Sequence, residues 1–253
     1  MKRTAVDLLD ADPDLAEALP ALHQERLRGV LRVPVFLVEK GNWDPRRLEP
    51  GSIGLLVLGG LMMRRLSFGV VASAELVGQG DILRPGDEGP TDAPPHSSAW
   101  RVLADVELAV IDRRATALIG RFPELSAAIA GRLLRRSRCL SYLMAAQHLR
   151  RVDDALLATL WHIAGMWGKV TLGGVVVPFH FTHQQLADIT GSRRPTVTVA
   201  IRTLEAQGRL RREEPGRWVL LGDPPEWSSE EIKPSSWTRM EAERDVATPF
   251  LPA

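Results

Sequence analysis

The spacing of apolar and polar positions divides the chain into stretches of different period. Between residues 33 and 112, short apolar runs are separated by glycine, proline and charged residues: 35–38, 53–58, 61–63, 69–72, 74–77, 100–103 and 108–111. Short strands at regular spacing with turn residues between them predict an all-β barrel or jelly roll. Ahead of this stretch, residues 1–30 read as a short helical arm broken at Asp12-Pro13 and at Pro20. Within it, residues 85–98 (PGDEGPTDAPPHSS) are rich in proline, acid and serine and read as a loop.

Past Pro123 the pattern becomes helical. Leu125, Ile129, Leu133, Leu140, Leu143 and Gln147 recur at spacings of three, four or seven, and Gly131 is the one glycine up to Arg151. Arg132, Arg135 and Arg138 mostly fall on other faces, and Arg136 interrupts the seam. One apolar seam on a long helix needs a partner, either the chain's own barrel or the same helix of a second subunit. On the second reading Ile129, Leu133, Leu140, Leu143 and Gln147 are the dimerisation residues. Asp153 or Asp154 is placed to cap the next helix, which runs to about Trp167 with Leu156, Leu157, Leu160 and Ile163 on its apolar side. Gly173-Gly174 is a turn, and 175–181 reads as a short strand.

The most specific pattern begins at Thr182. Thr182 and Gln185 have the spacing of a capping box, in which each satisfies the other's backbone N–H at a helix start. The first helix is then 183–190, with Leu186, Ala187 and Ile189 apolar and Ala187 small enough to let a second helix cross closely. Gly191 supplies the turn, because glycine adopts positive φ without a Cβ clash. Ser192 or Arg193 starts the second helix, and Pro195 lies in its first turn, where a missing N–H costs nothing. Val197, Ala200, Ile201 and Leu204 form its buried stripe, and Gly208 ends it. Arg193, Arg194, Thr196, Thr198 and Arg202 are left on the outer face and N-terminal end, where a recognition helix meets base edges and phosphates. Residues 209–212, a Glu214-Pro215-Gly216 turn and 217–221 follow as a β-hairpin, so that Arg211, Arg212 and Arg217 reach flanking phosphates as a wing. The pattern predicts a winged helix-turn-helix that binds double-stranded DNA.

Charge agrees with this. The chain's net charge is +1, but residues 121–221 carry 15 Lys/Arg against 7 Asp/Glu, whereas residues 222–253 carry 3 against 7. A basic segment between acidic ones points to a polyanion partner. The tail from 223 is acidic, proline-rich and weakly patterned, and reads as flexible. The chain has 45% hydrophobic and 25% charged residues, in the range of globular proteins, and no run long enough for a membrane span. The N-terminus lacks the apolar core of a secretory signal. Cys139 is the one cysteine, so an internal disulfide and a thiolate cluster are both excluded, and a cytoplasmic location is expected.

The residues THQQLADITGSRRPTVTVAIRTLEAQGRL resemble the helix-turn-helix of the Crp/Fnr family of bacterial transcription regulators. Gln79-Gly80-Asp81, Ser98-Ala99-Trp100 and Pro123-Glu124-Leu125 are similar to the second half of that family's cyclic-nucleotide-binding-like jelly roll, and the long helix to its dimerisation helix. The resemblance implies an α+β chain: an N-terminal arm (1–30), a cyclic-nucleotide-binding-like β jelly roll (31–120), a dimerisation helix (121–151), a winged helix-turn-helix (152–222) and a tail (223–253). It implies a homodimer on a palindromic operator, with RNA polymerase as a further partner. Arg194 matches the family's guanine-reading arginine, suited to O6 and N7. Thr182, His183 and Gln184 match backbone-contacting positions, and Thr196 a phosphate or base contact. Pro195 and Val199 depart from the family's base-reading and polar residues, so the operator is expected to be its own.

The sensor departs further. The family's cyclic-nucleotide binders hold the ribose with a glutamate and the phosphate with an arginine near the Ser-Ala pair. Here the stretch reads Ile82-Leu83-Arg84-Pro85-Gly86, and Ser97 precedes Ser98-Ala99. Loss of an ionic phosphate partner predicts no tight binding of cyclic AMP. Arg84 and Trp100 are the candidate effector-binding residues, with a solvated loop and core packing as their plainer roles. No cofactor or metal is predicted: the six histidines show no metal-ligand spacing on a helix. Two alternatives are a ligand-independent regulator, controlled by abundance or a protein partner, and a cupin-like barrel enzyme. The enzyme needs a metal triad or acid/base pair in the barrel, whose predicted strands contain no histidine.

Overall fold

The computed structural model describes residues 4–45, 48–86, 96–177, 179–214 and 217–226. In chain order, strand β1 (Thr4–Asp7) leads into three short helices, α1 (Leu8–Ala11), α2 (Pro13–Glu17) and α3 (Ala21–Leu27). Strands β2 (Arg32–Val38), β3 (Gly41–Trp43), β4 (Gly54–Phe68), β5 (Val71–Gly78), β6 (Ile82–Leu83) and β7 (Ser97–Ile111) follow, then helices α4 (Arg113–Ile119), α5 (Pro123–Gln147) and α6 (Val152–Trp167). The last part holds β8 (Lys169–Thr171), β9 (Gly174–Val177), α7 (His183–Thr190), α8 (Arg194–Ala206), β10 (Leu210–Glu214) and β11 (Arg217–Leu220). The chain is therefore α+β, with antiparallel sheets.

Two fifteen-residue strands organise the first sheet, whose order is β1-β2-β7-β4-β5, with β3 on β7 and β6 on β4. The apolar runs 53–58 and 61–63 belong to a single strand, β4, and 100–103 and 108–111 to β7, not to separate strands. The residues between the runs are an irregularity in one ladder and make no turn: the β4–β7 register shifts between Val57 and Met62. Gly60 sits there at φ +87°, and a Cβ on it would lie 2.0 Å from the Asp105 carbonyl oxygen. Only glycine fits, and the mismatch in register bends the strand pair at this point. The run 69–72 is likewise divided, with Gly69-Val70 forming the turn into β5.

The bent sheet carries three apolar clusters. Its interior is filled by Phe36, Leu55, Val57, Met62, Trp100 and Leu108 with their neighbours. One outer face is covered by the N-terminal segment together with α4 and the start of α5. The other outer face, through Leu61, Met63, Ala74 and Leu103, shares a core with the helix-turn-helix.

The N-terminal segment, expected as a helical arm, is a structural part of the barrel. β1 pairs antiparallel with β2, and Leu8, Leu9, Leu15, Leu19 and Leu27 are buried. Asp12 caps α2 at Leu15 and receives two 2.6 Å hydrogen bonds from Arg132 of α5, both side chains being buried. Arg132, expected on a face other than the apolar seam, thus turns inward. Arg136 does too, donating to Glu75 at 2.8 Å and lying 3.8 Å from Asp81. Burial pushes the Asp81 carboxyl up, opposed by its bond from the Gly78 N–H and by the charge of Arg136.

The seam predicted for α5 does not remain a single exposed stripe. Leu125 and Ile129 pack on the barrel, and Leu140 and Leu143 line a small cavity with His162 and Trp167 of α6. Gln147 donates to the Ile189 carbonyl at 2.8 Å. Of the five residues expected at a dimer interface, only Leu133 is markedly exposed, at 47%. The apolar face left open is centred roughly a quarter-turn away. It holds Leu133, Leu134, Met144 and, between them, Ala130, Ser137 and Ser141. A helix wedged between a barrel and a second helix buries two stripes, and the sequence seam follows the buried one.

α6 starts two or three residues earlier than the capping expectation: its N-cap is Arg151, without a side-chain bond. Asp153 lies in the first turn, favoured there by the helix dipole, and pairs with Arg151 at 2.7 Å, which holds its carboxyl below the usual range. Residues Met1–Gly222 form one compact unit and Asp223–Ala253 another. Most of the expected flexible tail lies outside the described residues, as do 87–95 of the expected loop.

Candidate nucleic-acid interface

The start of α7 is fixed by its own sequence. Thr182 Oγ1 accepts from the Gln185 N–H at 3.2 Å, and Gln185 Oε1 accepts from the Thr182 N–H at 2.7 Å, the capping box predicted. Its end is fixed by Gly191, in the left-handed region at φ +63°. That conformation lets the Ser192 N–H reach back to the Ala187 carbonyl at 2.9 Å and releases the chain into α8. Arg193 is the N-cap of α8 and Pro195 stands in its first turn. Val197, Ala200, Ile201 and Leu204 pack in a common core with Leu186, Ala187, Ile189, Phe181 and Trp218.

With that stripe buried, the outer face of α8 is set by helical period alone. Arg193, Arg194, Pro195, Thr196, Val199 and Arg202 are exposed, while Thr198 is half-buried. The Thr198 hydroxyl donates to the Arg194 carbonyl at 3.0 Å and lies 2.9 Å from His183 Nδ1, a contact that orients the His183 ring. The ring lies 6.2 Å from Trp218, whose other neighbour is the Arg212 guanidinium at 4.8 Å. Burial, then the charges of Arg212 and Arg194, hold the His183 imidazole below the usual histidine value. An anion arriving here meets Arg194, Arg202 and Arg212 beside the His183 imidazole.

β10 and β11 pair as the predicted hairpin, extended by β9 and then β8 into a four-stranded sheet. The strand expected over 175–181 ends at Val177, and Phe181 is instead a buried anchor beneath α7. Arg211 and Arg217 both face Glu213, at 3.5 and 3.7 Å, and Arg212 faces Glu205 at 3.7 Å. These arginines keep 40–49% of their side-chain surface open, so the wing is basic but internally paired. Its turn, 215–216, lies outside the described residues.

Of the two candidate effector residues, Arg84 donates to the Ser52 carbonyl, and Trp100 packs edge-on against Trp43 at 5.8 Å. Trp100 also lines a cleft of about 680 Å³ between barrel and α7, walled besides by Trp43, Met63, Arg65, Arg101, Gln184 and Asp188. The Arg65–Asp188 pair on its wall was not legible beforehand, because Asp188 sits within an apolar helix pattern and Arg65 in a strand 123 residues away. Among the described residues, no group of three or more His, Cys, Asp or Glu side chains is placed to hold a metal ion.

Comparison with known proteins bears on the same region. The family described as Crp-like helix-turn-helix domain matches residues 137–226. A CRP-like cAMP-activated global transcriptional regulator of Mycobacterium tuberculosis is 26% identical over 178 residues, covering 69% of this chain and 78% of that protein. A cyclic nucleotide-binding domain containing protein from Listeria monocytogenes has a similar fold: TM-score 0.63 at 12% identity, covering 83% of this chain and 96% of that one. So does a CRP/FNR family regulator from Thermus thermophilus: TM-score 0.52 at 22% identity, covering 74% and 93%.

Proposed function

We propose that the chain is a transcription regulator of the Crp/Fnr type, with a helix-turn-helix DNA-binding domain, that reads a palindromic operator as a homodimer without dependence on cyclic AMP. The observation that carries the reading is the open outer face of α8, where Arg193, Arg194, Thr196 and Arg202 stand exposed above a fully buried stripe. Arg194 is the base-reading residue. Thr182, His183, Gln184 and the wing arginines Arg211, Arg212 and Arg217 contact the phosphate backbone, with Thr198 positioning His183. The second copy covers Leu133, Leu134 and Met144 on α5, whose small neighbours Ala130, Ser137 and Ser141 allow close approach. The domain assignment follows: a barrel that extends to 120 and includes the N-terminal segment, a dimerisation helix 121–151 and a winged helix-turn-helix 152–222, followed by 223–253. A cytoplasmic setting and RNA polymerase as further partner complete the reading; no helix among the described residues is long and apolar enough to cross a membrane.

The mycobacterial relative is cAMP-activated by name. Two features support a different control here. The barrel interior is occupied by its own apolar side chains, and Arg84, the cation nearest the Gly-Asp turn in sequence, is engaged by a backbone carbonyl. Selection of the full chain against random duplexes is expected to enrich a palindrome with half-sites about one helical turn apart. Adding cyclic AMP is expected to leave both the motif and the affinity unchanged. A non-palindromic motif, or one obtained only with the nucleotide, removes this reading.

His183 predicts a pH dependence. Its pKa is depressed in the free protein, and a phosphate beside the imidazole raises it in the complex. Binding then takes up a proton: its contribution is complete below the free-protein pKa and is lost as pH rises through the higher pKa of the complex. Affinity for the selected duplex at constant ionic strength should therefore fall from about pH 5 to pH 8, and His183→Gln should flatten the profile. An unchanged slope in the variant assigns the dependence elsewhere.

A further inference from the structure

The barrel grips the DNA-binding domain through one ion pair set into a shared core. Leu61, Met63, Ala74 and Leu103 of the sheet's outer face lie in the same apolar cluster as α7 and α8. A Cβ on Gly78 would lie 2.6 Å from the Trp167 ring, so the sheet also touches α6 without spare room. At the edge of this contact, Arg65 Nε of β4 lies 3.2 Å from Asp188 Oδ2 of α7, and its Nη1 donates to Ser67 Oγ at 2.8 Å. The other carboxylate oxygen, Asp188 Oδ1, accepts from Gln184 Nε2 at 2.9 Å.

Each link has a physical consequence. Asp188 is 8% exposed, so its charge needs a partner, and Arg65 of the barrel faces it. Gln184 stands in the first turn of α7 with its side chain exposed, one residue past His183 and two past the capping Thr182. A free glutamine in that place samples many rotamers. Held by one amide hydrogen on Asp188, it keeps its second amide hydrogen for an anion at the helix N-terminus, where backbone N–H groups already favour negative charge. Ser67 restrains Arg65 in turn, so the chain Ser67–Arg65–Asp188–Gln184 runs from sheet to helix terminus without a break.

We propose that Arg65 is a positioning residue for DNA binding: a barrel side chain that orients the phosphate-contacting Gln184 through Asp188. The barrel is thereby part of the reading head, and any event that draws Arg65 away from Asp188 loosens the grip on DNA. The cleft beside the pair opens onto the same three side chains, which gives such an event a place to act. The proposal rests on the reading of Gln184 as a backbone contact.

The test is a double-mutant cycle on the full chain, using a duplex selected with the wild-type protein and read by fluorescence anisotropy. Failure of the wild type to select or bind any duplex overturns the DNA-binding reading itself, before a variant is made. Arg65→Gln is expected to weaken binding by about tenfold per folded molecule, the effect of losing a charge-assisted contact, measured well below a melting temperature that itself falls because Asp188 loses its partner. Gln184→Ala is expected to do the same, and Arg65→Gln in the Gln184→Ala background to add nothing. Arg65→Lys, which keeps a cation facing Asp188, should recover most of the loss. The proposal is overturned if either single variant binds as the wild type does, or if the two losses add, since Arg65 would then act independently of Gln184. Should Arg65→Gln fail to fold, Asp188→Asn, which retains an acceptor for Gln184 and removes the charge, takes its place in the cycle. If both unfold, the pair is structural and the proposal falls.

Discussion

Replacing Asp12 with alanine is expected to lower the unfolding free energy by about 3–5 kcal/mol, the cost of leaving one member of a buried ion pair charged and alone. Arg132 is 7% exposed and spends both terminal nitrogens on the Asp12 carboxylate at 2.6 Å. What remains after the substitution is the Gly80 carbonyl at 3.4 Å and Asp14 at 3.9 Å, whose side chain is 82% exposed and therefore well solvated. Asp12 also caps α2 at the Leu15 N–H, which adds about 1 kcal/mol to the loss. Urea denaturation of the variant checks the value. Pairing Asp12→Ala with Arg132→Met should recover much of the stability, because two apolar groups need no partner. A loss below about 1 kcal/mol for the single variant would mean that water reaches Arg132 and that the N-terminal segment is not packed as described.

Trp218→Ala is the second large effect, at about 3–5 kcal/mol, typical for removing a fully buried aromatic side chain. Trp218 is 1% exposed at the centre of the core shared by α7, α8 and the wing. It is also the surface on which Arg212 rests at 4.8 Å and toward which His183 tilts at 6.2 Å. Its removal should therefore weaken DNA binding beyond the loss of folded protein. Trp218→Phe separates the two roles. The smaller ring fills most of the space, and it removes an indole N–H that has no hydrogen-bond partner among the described residues, so stability should fall by less than in the alanine variant. Calorimetry and anisotropy on the same preparations distinguish the outcomes. Equal DNA affinity per folded molecule in wild type and Trp218→Ala would show that the aromatic platform has no part in binding.

The helix-turn-helix was legible because its signals are local. A capping box spans four residues, a glycine turn one, and the buried stripe of α8 a single helix, so each follows from sequence spacing and backbone sterics. The wing followed for the same reason. The barrel was legible as a class but not in detail. Gly59-Gly60 marks a turn in most sequences, yet here it bends a continuous strand, because the far side of β7 approaches closely enough to exclude a side chain. Which neighbour covers the seam of α5 was not legible, for a related reason. Period alone locates apolar stripes, but three neighbours compete for this helix, and only the tertiary arrangement decides which stripe stays open.

The ion pairs lay furthest from view. Asp12 and Arg132 are 120 residues apart, and Arg65 and Asp188 are 123 apart. Nothing local distinguishes a charged residue that turns inward from one that faces water. Arg136 is the instructive case. It breaks the apolar seam of α5, and the break is itself the signal, since an arginine in a buried row implies buried carboxylates opposite, here Glu75 and Asp81.

Sequence reading by α8 is the central claim, and Arg194 tests it most directly. The measurement is the affinity of wild type and Arg194→Ala for the selected duplex and for a panel carrying each single base-pair change in one half-site. The account predicts a loss of about 1–3 kcal/mol for the variant, with discrimination relaxed at one position per half-site and retained at the others. Equal affinity and an identical preference profile in the two proteins would contradict it, and would place the reading of sequence on some surface other than the outer face of α8.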